Sequence, residues 1–253
     1  MPIVETNTGP DSADREDRFL LVVDSDVNNL FYTSMLLQRL NYRISTAKTA
    51  REALETATIS TPSVIITALG LTDMRGLELV QQLKQNPGTA DIPFILLTQR
   101  GDLLAEKHSR ELGAIECLSQ PISPELLYRA VQTAVEATPR ANIRLRTRLL
   151  VTVNAKPLEC GDGACISELS ERGLFLRTRS PASAKTRLSL QFDLNGRLIA
   201  AEATVLYNYR AGGGSDHEPG MGLEFVRIAP IDREFIQQFI RAQLTRGIAP
   251  MDT

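Results

Sequence analysis

From Phe19 to about Glu136, short runs rich in Val, Ile and Leu alternate with longer segments whose apolar residues recur at helical spacing. The runs Phe19–Val23, Arg43–Thr46, Val64–Thr67, Phe94–Thr98 and Ile115–Leu118 predict strands. Between them, Asn28–Leu40, Ala50–Thr58, Gly76–Gln85, Leu103–Leu112 and Pro124–Val135 predict helices. Leu30, Met35, Leu36, Leu37 and Leu40 form an apolar stripe on the first helix, as do Leu126, Leu127, Ala130, Val131 and Ala134 on the last. Such stripes must be covered, and regular strand–helix alternation covers them with a parallel sheet.

The pattern changes after Ala137-Thr138-Pro139. Downstream, apolar and polar residues alternate with period two, and Gly, Pro and Asn rather than helices separate the runs. Strands are expected over Leu149–Asn154, Ala164–Leu169, Gly173–Arg177, Arg187–Asp193, Leu198–Tyr209 and Gly222–Phe225. A glycine-rich loop, Ala211-Gly212-Gly213-Gly214-Ser215-Asp216, precedes the last of them. Ile231, Phe235, Ile236, Phe239 and Ile240 then fall at helical spacing within Pro230–Leu244, which should close the domain. The expected organisation is a disordered tail over 1–18, an α/β domain over 19–136 and a connection over 137–148. A small β-barrel with a C-terminal helix over 149–246 and a tail over 247–253 complete it.

With 253 residues the chain has room for two domains, each with its own core. Its 43% hydrophobic and 23% charged residues match ordinary globular proteins. No apolar run approaches the roughly 18 residues needed to span a bilayer, and the polar N-terminus has no signal-peptide core, so a cytoplasmic location without membrane insertion is expected. Cys117, Cys160 and Cys165 have no histidine at zinc-ligand spacing, so free thiols and no bound metal are expected, and His108 and His217 stand alone. A formal net charge of −2 argues against a general nucleic-acid binder.

The five β/α units resemble the receiver domain of bacterial two-component response regulators over residues 19 to 136, a doubly wound fold with its crevice at the carboxyl ends of the strands. Members of that family carry two acids after the first strand for Mg²⁺, a phosphate-accepting Asp after the third, a Thr or Ser after the fourth and a Lys before a Pro after the fifth. Here Asp24 supplies the first acid, Ser25 stands at the second, and Asp26 is a partial substitute for it. Gly76-Leu77-Glu78-Leu79 fixes the register that puts Ala68 at the phosphoacceptor position. Thr98 is retained, and Gln120, before Pro121, replaces the lysine. Alanine offers no nucleophilic oxygen, so the resemblance implies a receiver that is not phosphorylated. Asp73, the nearest other acid, falls five residues later in a loop.

The second half resembles the PilZ domain, a β-barrel that in many bacteria binds cyclic di-GMP, from about Arg140 to Leu244. Its Arg-x-x-x-Arg segment is matched by Arg144-Leu145-Arg146-Thr147-Arg148, with Arg140 as a further cation. Its Asp/Asn-x-Ser-x-x-Gly turn is matched by Glu168, Ser170 and Gly173, with glutamate replacing the shorter side chain and Arg172 as an added cation. Guanidinium forks onto phosphate oxygens and reads or stacks on guanine. Gly173 is expected to permit close backbone approach or a positive φ. Gly220-Met221-Gly222-Leu223-Glu224-Phe225 resembles the closing strand.

Two readings follow from these resemblances. One is a non-enzymatic effector that binds cyclic di-GMP through Arg144, Arg146, Arg148, Glu168, Ser170 and Gly173, requires no cofactor, and uses its receiver-like half to engage an unidentified protein. In it, the ligand orders the connection and changes the angle between domains. The other is a ligand-independent adaptor in motility, polarity or development. No DNA-binding helix-turn-helix follows the receiver-like half, and no nucleophile–base pair points to an enzyme.

Overall fold

In the computed structural model the described residues are 19–137, 139, 142–157, 164–210 and 218–248. The N-terminal tail, Arg140, Cys160, the glycine loop with His217, and the end of the C-terminal tail lie outside them. The chain divides into two compact units, the second comprising Asn142–Gln243 and the first the described residues outside it.

The first unit is the expected α/β domain. Strands β1 (Phe19–Val23), β2 (Arg43–Ala47), β3 (Val64–Ala68), β4 (Phe94–Gln99) and β5 (Glu116–Gln120) form one parallel sheet of order β2-β1-β3-β4-β5. Helices α1 (Val27–Arg39), α2 (Ala50–Ile59), α3 (Gly76–Gln85), α4 (Leu103–Glu111) and α5 (Pro124–Val135) connect them. Both faces of a parallel sheet are covered, which is why β3 is buried along its whole length and β4 up to Thr98. The strand order reverses between β1 and β3, and side chains at their carboxyl ends converge there.

Helix starts are set by short polar side chains that satisfy otherwise unpaired N–H groups. Asp26 caps α1, Thr49 caps α2, Asp102 caps α4, and Ser123 caps α5 ahead of Pro124. The stripe on α1 is buried at Leu30, Leu36, Leu37 and Leu40. On α5, Leu127, Ala130 and Val131 are buried, whereas Leu126, expected in the same stripe, is 44% exposed. One step of about 100° turns adjacent residues apart, so Leu126 and Leu127 cannot both face the sheet fully.

The second unit is a curled antiparallel sheet of order β6-β9-β10-β13-β12-β11-β7-β8. Its strands are β6 (Leu145–Leu149), β7 (Thr152–Val153), β8 (Lys156–Pro157), β9 (Cys165–Ser170), β10 (Gly173–Arg177), β11 (Arg187–Leu194), β12 (Arg197–Tyr209) and β13 (Gly220–Ile228). Leu188, Leu190, Phe192 and Leu194 alternate inward along β11, and the β11–β12 hairpin turns at Asn195-Gly196, both at positive φ. Helix α6 (Pro230–Thr245) buries Ile236 and Ile240 and leaves Ile231 62% exposed. Arg197 joins α6 to β12 through Asp232 at 2.7 Å, with its guanidinium 5.3 Å from the centre of the Phe235 ring.

One strand differs from expectation. The run Leu149–Asn154 is divided: β6 ends at Leu149, β7 takes only Thr152–Val153, and Asn154 and Ala155 turn at positive φ. Strand β6 begins at Leu145 and pairs with β9, with Arg146 across from Glu168 and Arg148 in the irregular stretch before Leu149, so both lie within a strand rather than before it.

Candidate functional sites

At the strand ends of the first unit, Asp24 is the one retained acid whose side chain is enclosed, at 3% exposure. Its Oδ1 accepts the Asp26 N–H at 2.9 Å and its Oδ2 accepts the Gln120 amide at 3.1 Å. Burial pushes its carboxyl above the ordinary aspartate range, against the lowering effect of these two donors. Gln120 thus stands where a receiver's lysine would and reaches the same carboxylate with a neutral donor.

Asp26 does not double the acid in this pocket. Its Oδ1 accepts the N–H groups of Asn28 and Asn29, both at 2.9 Å, so that oxygen is engaged at the start of α1. Ser25 points to neighbouring loops, donating to the Lys48 carbonyl at 2.7 Å and accepting the Thr72 N–H at 3.0 Å. Ala68 closes β3 at 5% exposure, opposite Leu97 of β4. Thr98 is buried on β4, its hydroxyl 3.8 Å from the Cys117 sulfur. Among the described residues, no three His, Cys, Asp or Glu groups gather as a metal would require.

Asp73 has a structural task. Its two oxygens accept the Ala50 and Arg51 N–H groups, at 2.9 and 3.0 Å, from across the β3–α3 loop. Those bonds hold its carboxyl below the ordinary range. It therefore anchors the start of α2, with both oxygens engaged there.

On the second unit the two separated motifs come together. Alternation along β6 exposes Arg144, Arg146 and Arg148 while Leu145, Thr147 and Leu149 are partly buried. Arg146 lies directly across from Glu168 of β9, and the Arg144 guanidinium stands 3.7 Å from the Glu168 carboxylate. Both partners of that pair are more than a third exposed, so water screens it and a ligand can displace it at small cost. Among the described residues, Arg146 and Arg148 have no ion-pair partner. Arg172 lies in the turn after Ser170, where it pairs loosely with Glu171 at 4.0 Å.

Ser170 is buried and donates to the Gly173 carbonyl at 3.0 Å, closing the turn between β9 and β10. Gly173 serves close approach rather than positive φ: a Cβ there would lie 2.1 Å from the Leu223 carbonyl oxygen of β13. Its glycine is thus required by the sheet whether or not a ligand binds. Sequence reasoning missed three rings on the same sheet. Phe175 of β10 lies across from Glu168, and Tyr207 and Tyr209 of β12 stand with it, ring centroids 5.4 to 6.4 Å apart. The alternating Tyr207 and Tyr209 in β12 were the available signal, but nothing in the linear pattern says that bulges bring them to one face with Phe175.

A doubly wound domain with one enclosed acid at its strand ends is thus followed by a curled antiparallel sheet bearing arginines on an edge strand. Response regulator receiver domain and PilZ domain are the family descriptions that match, over residues 20–132 and 137–242 respectively. The chain thus carries a receiver domain in its first half, followed by a PilZ domain in its second.

Over the receiver part, 117 residues are 32% identical to a Vibrio cholerae protein named "Probable cyclic di-GMP phosphodiesterase", covering 46% of this chain and 26% of that one. A "Probable chemotaxis protein CheY" of Rhizobium etli is 26% identical over 119 residues, 47% of this chain and 92% of that protein. The chemotaxis response regulator CheY4 of Vibrio cholerae, a solved structure, is 27% identical with a TM-score of 0.43, covering 46% of this chain and 98% of that one. Among the described residues, no helix is long and apolar enough to cross a membrane.

Proposed function

We propose that this protein is a bacterial signalling effector of the cytoplasm that binds cyclic di-GMP on the outer face of its PilZ sheet, around Arg144, Arg146, Arg148, Glu168 and Ser170. The observation that carries this reading is the meeting of two motifs distant in sequence, Arg144 just before β6 and Arg146 on β6 with Glu168 on β9. Two guanidiniums without ion-pair partners suit phosphodiester anions, and a carboxylate beside them suits guanine N–H donors.

The receiver-like half acts without phosphorylation and without catalysis, through protein contacts. Ala68 has no nucleophile, and one oxygen of Asp24 accepts the Gln120 amide. Incubation with acetyl phosphate and Mg²⁺ should leave the intact mass unchanged; a phosphoryl adduct on an acidic side chain refutes this part.

Isothermal titration with cyclic di-GMP tests the ligand. Wild type should release heat, and the Arg144→Ala/Arg148→Ala variant should bind at least roughly tenfold more weakly, from the loss of hydrogen bonds to charged groups. Absence of heat for wild type at tens of micromolar favours the adaptor reading. That reading draws support from Ser170, already bonded within its turn, and from Arg144, already paired with Glu168.

A further inference from the structure

We infer that Phe175, Tyr207 and Tyr209 form a stacking platform for a purine ring, continuous with the arginine–glutamate cluster; this deepens the proposed cyclic di-GMP site and rests on it. Directly opposed residues of an antiparallel sheet share a face, so register defines a row: Arg146 of β6, Glu168 of β9, Phe175 of β10, Gly222 of β13 and Tyr207 of β12. The row carries charge at one end and π surface at the other. Phe175 is only partly buried, while its neighbours Leu174 and Leu176 fill the inner face at 6% and 0% exposure.

Two irregularities put these groups on the outer side. A register shift opposite Phe175 lets Glu168 face outward although Ile166 and Leu169 face inward. A second shift between Val205 and Tyr207 leaves Leu206 unpaired, so Tyr207 faces outward although Val205, two residues earlier, faces inward. The floor is bare backbone. A Cβ on Gly222 would lie 2.4 Å from the Tyr207 ring, and one on Gly220 2.7 Å from the Phe175 ring.

The Phe175 and Tyr207 rings are inclined by 31° with centroids 6.4 Å apart rather than stacked, so neither covers the other's π face. A core-forming role is ill suited to partly exposed rings on the solvent side of a sheet whose inner side is already filled by Leu, Val and Ala. Adjacent strands lie about 4.8 Å apart, so one spacing separates the Glu168 and Phe175 positions. A guanine whose edge meets Glu168 would extend its plane toward Phe175, while its phosphate stays within reach of the arginines.

The test uses the full chain and cyclic di-GMP. Phe175→Leu and the Tyr207→Leu/Tyr209→Leu pair keep apolar bulk and remove π faces, whereas Tyr207→Phe keeps the face. Expected affinities in titration are about 5- to 150-fold weaker for the leucine variants and near wild type for Tyr207→Phe. The chain has no tryptophan, so Tyr207→Trp introduces a sole reporter whose emission should be quenched by guanine with the same midpoint as the heat, even if the leucine variants fold poorly. Arginine-dependent heat without loss in folded leucine variants and without quenching overturns the platform and leaves the proposed site standing. No heat in wild type overturns both.

Discussion

Gln120→Ala isolates the contact between the β5 end and the enclosed acid Asp24. Asp24 is 3% exposed, and one of its oxygens has the Gln120 amide, at 3.1 Å, as its side-chain donor. Truncation leaves a buried anionic acceptor short of a partner, which costs about 1.5–3 kcal/mol for a hydrogen bond to a charged group. Urea denaturation of the full chain, followed by far-ultraviolet circular dichroism, should show a loss of that size at neutral pH in the transition of the receiver-like domain. The pH dependence has a definite sign. Burial raises the folded Asp24 carboxyl above its unfolded value, so the folded state binds a proton more tightly. The cost of the charge is fully present above the raised folded value and is relieved as pH falls through it, so the Gln120→Ala deficit should shrink on acidification. Asp24→Asn removes the charge, and a flipped Gln120 amide can accept from the new amide, so this variant should be at least as stable as wild type at neutral pH. A Gln120→Ala loss below about 0.5 kcal/mol, the range of ordinary surface changes, or a deficit that does not depend on pH, refutes the account.

Three further outcomes are expected. Asp73 is held below its ordinary range by two helix N–H groups, so it stabilises the fold above its unfolded value near pH ~3.9 and that contribution disappears as pH falls through the depressed folded value. Asp73→Asn should lower the melting temperature at neutral pH and converge with wild type in acid; equal melting temperatures at neutral pH would contradict this. Gly173→Ala should destabilise the second domain by about 1–3 kcal/mol, because a Cβ 2.1 Å from the Leu223 carbonyl oxygen forces β10 and β13 apart; an unchanged melting curve would show that the strands tolerate it. Glu168→Asp shortens the carboxylate and frees Arg144, and should tighten cyclic di-GMP about fivefold in titration, the worth of one hydrogen bond. Weaker binding would show that the longer side chain is the better fit.

Much of this molecule is written locally. The buried run Val64–Ala68, the Asp26, Thr49 and Ser123 caps and the alternation of Arg187–Leu194 are each decided within a few residues, because they depend on backbone hydrogen bonding and on which side of one element is apolar. The place of Ala68 at the end of β3 was legible for the same reason: a residue at a strand end in a regular β/α chain has its place set by register. What the linear pattern left open depends on pairing between distant strands. Asp26 looked like a spare metal acid until its cap showed where its oxygen points, and Gly173 looked like a ligand or φ residue until β13 was seen against it. The rings of Phe175, Tyr207 and Tyr209 join Glu168 only because bulges in β9 and β12 reverse the face of a period-two strand, and a bulge exists only with respect to the partner strand.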